Sequence, residues 1–469
     1  MSRGKELVKN TAIVAVGKVC TKFLSFFLLP FYTAVLSTEE YGIVDLLNTY
    51  ISLLLPIIAF QIEDALFRFL VDVRQNEEGK RKVISTVTLF AAFQSAIFIV
   101  IFLVIQQFVT VQYGNYLMIN VVVSIFSGAM LQLTRGVGDN YTYAFGSFLT
   151  ALVAILMNIG LVLFLRMGAE GLLITAFVSN LIGVCYIVLK DKVYRLVRLK
   201  WFDRGYLKEM LAYSLPLVPN YLSWWVVGAS DKSIVRYFLG ISQNGILSVS
   251  QKFSTAYTSF YSIFNLTWTE SASVHRGDED REIFYSQIID MAFRVLACVC
   301  MGIIAVVALI FPYMIHENYA ESYYQIPIYM VSSLLYSVIG IYSVVYIAYK
   351  KTDKIAKTSL VAAIINVTVN VGLIRYIGLY AASISSAVAY GVMLVIRYFD
   401  IQNIVRVRMK RSVLLTVILC MMLDFVTYYL RITWLSWMNL LLIAVFSAFM
   451  NRKILLKMLR AVRSKMRKE

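Results

Sequence analysis

Six prolines, five cysteines and two histidines in 469 residues leave little material for several kinds of chemistry. Cys20, Cys185, Cys298, Cys300 and Cys420 all fall in apolar stretches without ligand spacing, so they read as small packing residues; a disulfide framework is excluded. With His275 and His316 the only histidines, a zinc site or a histidine-based triad is not expected. No Gly-rich phosphate loop or nucleophile elbow is present. Charge is also scarce, at 15% of residues.

What is abundant is apolar sequence. Hydrophobic residues make up 60% of the chain and mean hydropathy is +0.73, too apolar for a soluble protein to cover its surface. Taking spans of about 20 apolar residues, we expect an all-α integral membrane protein with fourteen spans. They lie near 10–36, 43–69, 83–109, 115–134, 144–165, 169–189, 211–235, 244–267, 285–311, 323–349, 356–374, 378–398, 412–430 and 433–450. The first run is long enough to span and lacks a small-residue cleavage site, so no cleavable signal is expected. Short outside connections leave no room for an external catalytic domain, which argues against an enzyme.

The net charge of +17 does not indicate nucleic acid, because of where the cations lie. With the N-terminus inside, 34 of 44 Lys and Arg fall in cytoplasmic segments, and only Arg166, Arg375 and Arg431 fall outside. This asymmetry predicts both termini in the cytoplasm of a cell (inner) membrane, with the basic surface facing anionic lipid headgroups.

Weak self-similarity divides the chain. Gly42 and Ile43 of TAVLSTEEYGIVDLLNTY align with Gly245 and Ile246 of RYFLGISQNGILSVSQKF. Further on, Asn158, Gly160, Leu161 and Gly168 align with Asn370, Gly372, Leu373 and Gly378. Two matches in the same order predict parallel six-span repeats. The expected divisions are 1–190, a basic linker 191–210, a second bundle 211–400, an unrepeated helix pair 401–451 and a basic tail 452–469. SLPLVPN (Ser214 to Asn220) is the expected bend in span seven, as a static kink or a moving hinge.

Charges inside spans are the candidate functional groups. Lys18 and Lys22 lie one turn apart, and two mid-bilayer cations cost roughly 5–7 kcal/mol on an insertion scale. They need a wet cavity or an anionic partner. Span eight carries Ser248, Lys252, Thr255, Ser259 and Ser262 on one helical face. Its hydroxyls either line a polar path or bond their own backbone. Asp290 and Arg294 have the i, i+4 spacing of an intrahelical salt bridge. Asp231, Lys232 and Arg236 are expected to snorkel to the outer interface. Glu63, Asp64 and Arg68 read as an interfacial cluster; the alternative is that Arg68 receives a phosphate entering from the cytoplasm.

The opening LVKNTAIVAVGKVCTKFLSFFLLPFYTAVLSTEEYGIVDLLNTY, with fourteen spans in two six-span halves, resembles the Wzx-type oligosaccharide flippases. These belong to the superfamily of multidrug, oligosaccharidyl-lipid and polysaccharide exporters. The resemblance implies two bundles forming a V around a cationic cavity. It implies alternating access that moves an undecaprenyl-pyrophosphate-linked oligosaccharide outward for surface polysaccharide assembly. On that reading Lys18, Lys22 and Lys252 suit the pyrophosphate, Arg68 and Arg294 come next, and Ser248, Thr255 and Ser259 line the sugar's path. No cofactor is implied, although H+ or Na+ coupling stays open. The partners implied are the lipid-linked oligosaccharide, membrane lipids and the polysaccharide assembly machinery, with a monomer sufficient. The alternative is a cation-coupled multidrug exporter. Mid-depth lysines, which repel cations, count against it.

Overall fold

The computed structural model describes residues 28–349 and 351–452, with Phe26 and Leu456. Lys18 and Lys22 lie outside the described residues. Helices account for nearly all of what is described, and no strand occurs among these residues. Eleven of the described helices are long and apolar enough to cross a membrane, so the chain is a multi-pass membrane protein. Leu217–Leu239 and Ile241–Val274 are long enough too, but Asp231, Lys232, Arg236 and Lys252 interrupt their apolar runs.

The chain packs as two compact units, Met1–Gly245 and Ile246–Glu469. This packing boundary lies beyond the basic linker. In the first unit the described α-helices of seven or more residues are α1 (Leu29–Val35), α2 (Thr38–Ala59), α3 (Ile62–Asp72), α4 (Glu77–Gln106), α5 (Gly114–Val137), α6 (Asn140–Met157), α7 (Gly168–Lys190), α8 (Arg204–Ser214) and α9 (Leu217–Leu239). In the second they are the bulk of α10 (Ile241–Val274), then α11 (Arg281–Met314), α12 (Ser322–Ala348), α13 (Thr352–Ile377), α14 (Tyr380–Gln402), α15 (Arg411–Leu430) and α16 (Thr433–Met450).

The span expected over 43–69 is two helices. Phe60 and Gln61, with φ of 52° and 54°, are both left-handed and end α2 before α3 starts. Pro56 has already removed one amide donor from α2, and Gln94 Nε2 donates to the Ile58 carbonyl at 2.7 Å. Each non-glycine left-handed residue costs about 1–3 kcal/mol, so tertiary packing must hold the break. Two apolar clusters do so. Ile43, Val44 and Leu47 pack with Val121 and Leu173 above it, and Ile62, Leu66 and Leu70 pack with Val83 and Leu133 below it. At the bend expected near Pro216 the helix is interrupted: α8 stops at Ser214, and Leu215 and Pro216 separate it from α9.

The basic linker is fixed along α4. Ser85 Oγ donates to the Leu196 carbonyl at 2.9 Å and accepts from the Arg198 amide, and Thr86 Oγ1 accepts from the Asp203 amide at 3.0 Å. In the second unit, α15 and α16 pack on α11 through Cys298, Met301, Ala305 and Ile443. Tyr323 and Tyr428 stack at 4.1 Å, each hydroxyl donating to the other's carbonyl at 2.9 Å. Without a hydrophobic driving force between helices in lipid, such bonds and close packing hold the bundle together.

Candidate functional site

In the first unit a polar seam follows α2 where α9 packs against it. The seam begins at Ser37, whose hydroxyl caps the Glu40 amide while the Glu40 carboxylate accepts from the Ser37 amide. Steps of three and four residues then put Gly42, Asp45, Thr49 and Ser52 on one face. Asp45 Oδ2 lies 2.6 Å from Lys232 Nζ, with the side chains only 14% and 16% exposed. Lys232 therefore turns inward to a carboxylate on α2 and does not snorkel to the interface. One turn further along α2, Trp225 Nε1 donates to the Thr49 carbonyl at 3.0 Å and to Ser52 Oγ at 3.1 Å.

At the Ser37 end of the seam the backbones nearly touch. Asn244 Nδ2 donates to the Gly42 carbonyl at 2.9 Å. A Cβ on Gly42 would sit 2.8 Å from the Gly245 amide nitrogen and closer still to the Ile241 carbonyl, so only glycine fits. These are the two glycines that the sequence aligns with one another. At the opposite end of the seam Asp64 accepts from Tyr221 OH at 2.9 Å and from Gln132 Nε2 at 3.1 Å. Gln132 in turn accepts from Arg135, whose guanidinium lies 4.7 Å over the Phe67 ring.

Arg68, on α3, is half exposed and paired with Asp72 at 2.5 Å. Its counter-ion is therefore already within its own helix.

In the second unit Lys252 is half-buried on α10, on the face that carries Ser248 and Ser259, both buried. Thr255 is exposed. Thr255, Ser259 and Ser262 donate to the carbonyls of Gln251, Thr255 and Ser259 at 2.9, 2.7 and 2.7 Å. Those hydroxyls are thus committed as donors to their own helix and are left with acceptor lone pairs. Asp290 and Arg294 form the expected intrahelical pair, at 3.1 Å, and Arg294 also donates to the Met450 carbonyl at 3.3 Å.

Two features escaped the sequence reading. Arg397, at the end of the span expected over 378–398, is fully buried within α14. Its guanidinium donates to Thr358 Oγ1 at 2.9 Å, to the Ile355 carbonyl and Ser359 Oγ at 3.2 Å, and to Ser343 Oγ. The signal was available, as a lone arginine ending an apolar run. The second is a π-helical segment, Asn158–Phe164, that continues α6. The matching Asn370 segment stays α-helical in α13, yet Gly168 and Gly378, which close the two stretches, share a φ of +57°. No group of three metal-ligating side chains occurs among the described residues.

Comparison with known proteins gives three kinds of likeness. The family described as polysaccharide biosynthesis protein matches residues 7–269. Protein 1 of the Lsg locus of Haemophilus influenzae is 20% identical over 251 residues, which is 52% of this chain and 60% of that relative's length. Among solved structures, the lipid II flippase MurJ in an inward closed conformation aligns at TM-score 0.70 and 13% identity, covering 94% of this chain and 99% of that one. An inward-facing multidrug resistance MATE family transporter of the MOP superfamily aligns at TM-score 0.68 and 15% identity, covering 83% and 98%. At these identities the structural likeness is one of fold.

Proposed function

Because the chain belongs to the polysaccharide biosynthesis protein family, we propose that it is a flippase for lipid-linked oligosaccharides. The substrate of this reading is an undecaprenyl-pyrophosphate-linked repeat unit, moved to the outer leaflet of the cytoplasmic membrane for surface polysaccharide synthesis. The family match carries the proposal, and the fold shared with a lipid II flippase supports it. The chain acts as a transporter and not as an enzyme, with no resident cofactor and with a monomer as the working unit.

The proposed architecture has fourteen spans, two parallel six-helix repeats and a closing helix pair, with both termini cytoplasmic. Translocation proceeds by alternating access. A pyrophosphate cannot cross hydrocarbon without compensating cations. Lys18, Lys22 and Lys252 are proposed to supply them, with Arg68 and Arg294 held in reserve by their carboxylate partners. Lys232 contributes no net charge, since Asp45 neutralises it.

The MATE-like fold supports a second reading, a cation-coupled multidrug exporter. Reconstitution separates the two. Vesicles containing the protein should move a lipid-linked glycan between leaflets, and imposed H+ or Na+ gradients would reveal coupling. Export of cationic drugs without glycan movement would favour the second reading.

A further inference from the structure

The first unit contains a cavity of about 320 Å3 that the seam along α2 does not use. It is bounded by Tyr32 of α1, Ser127 of α5, Ser147 and Thr150 of α6, Asn158 of the π-helical segment and Asn180 of α7. The face of α6 turned to it also carries Ala151 and Ala154, whose small side chains leave the space open. Its volume is at the lower end of the roughly 300–1,000 Å3 of small-molecule sites, room for a single ring rather than an extended chain.

The chemistry of the lining is distinctive. It offers hydroxyl and carboxamide groups, and none of its described lining residues is charged. Asn158 Nδ2 donates to Tyr32 OH at 2.8 Å, and Ser127 Oγ donates to Asn180 Oδ1 at 3.1 Å. Asn158 Oδ1 is buried and has no hydrogen-bond partner. An orphaned buried acceptor is costly unless something donates to it. Asn158 also opens the π-helical segment, and such wide turns within α-helices are frequent at functional sites.

A pyrophosphate would find no cation among these lining groups. An uncharged polyol matches them: its hydroxyls donate to Asn158 Oδ1 and accept from the Tyr32 hydroxyl, and an apolar ring face rests against Ala151 and Ala154. We propose that this cavity is a subsite for one uncharged sugar ring of the transported molecule. The proposal rests on the flippase reading and adds that sugar and pyrophosphate are held by different parts of the protein.

The test measures binding of two probes to the full-length protein in lipid nanodiscs. One is undecaprenyl pyrophosphate carrying a single N-acetylhexosamine, and the other is undecaprenyl pyrophosphate alone. Asn158→Leu and Asn180→Ala should each weaken the sugar-bearing probe by about two- to tenfold, the worth of one or two neutral hydrogen bonds. Both should leave the bare pyrophosphate probe unchanged. The two positions are on different elements, so if one variant does not fold the other decides. Equal weakening of both probes, or wild-type binding of both, would overturn the subsite and leave the cavity to water. If the wild-type protein binds neither probe, the flippase reading itself fails, and the subsite with it.

Discussion

Lys232 on α9 and Asp45 on α2 neutralise each other at 2.6 Å inside an apolar bundle. The pair ties the two helices at one register, and neither charge is left for a ligand.

Breaking that pair from one side should be worse than removing it. Asp45→Asn or Lys232→Gln strands a charge and should cost up to about 3 kcal/mol of stability. The double variant should recover most of the loss. Thermal unfolding of the four proteins in detergent gives the coupling, and additive losses would mean the two residues do not interact.

Adding one methyl group at Gly42 should be poorly tolerated. Gly42→Ala forces the Ile241–Gly245 backbone outward and breaks the Asn244 bond to the Gly42 carbonyl. A loss of about 1–3 kcal/mol is expected, typical of overpacking. Gly228→Ala meets nothing within 4 Å and is the control.

Topology follows from charge asymmetry. In a cysteine-free background, a cysteine at Ser37 should react with an impermeant external thiol reagent in intact cells. A cysteine at Lys200 should be protected until the membrane is permeabilised. The opposite pattern would invert the protein in the membrane.

The parts legible in the sequence were those that local spacing dictates. The helix interruption near Pro216, the Asp290–Arg294 pair and the final helix hairpin all follow from residues close in the chain. The break at Phe60–Gln61 was not legible, because neither residue favours a left-handed backbone and only packing holds them there. Nor were the partners of Lys232 and Arg397. Which carboxylate or hydroxyl a cation meets depends on how neighbouring helices are rotated, and apolar periodicity leaves that open. Among the lysine candidates, Lys252 is on its expected face, and Lys18 and Lys22 lie outside the described residues.

The lysines give the most direct test of the substrate's charge. Lys252→Gln, or Lys18→Gln with Lys22→Gln, should insert normally and lower glycan translocation at least tenfold. Removing an intramembrane charge eases insertion, so reduced expression would not account for the defect. Lys→Arg should retain much of the activity, since either cation meets a phosphate. Wild-type transport by the triple Gln variant would place the pyrophosphate site elsewhere.

The linker held by Ser85 and Thr86 is a strap without slack. Its backbone is bonded to α4 at Leu196, Arg198 and Asp203, so it cannot follow a shift of α9 without breaking those bonds. Any such shift must be absorbed at Leu215 and Pro216, a joint two residues long. Lengthening the strap should therefore change little, whereas replacing that joint with continuous helix should seize the mechanism.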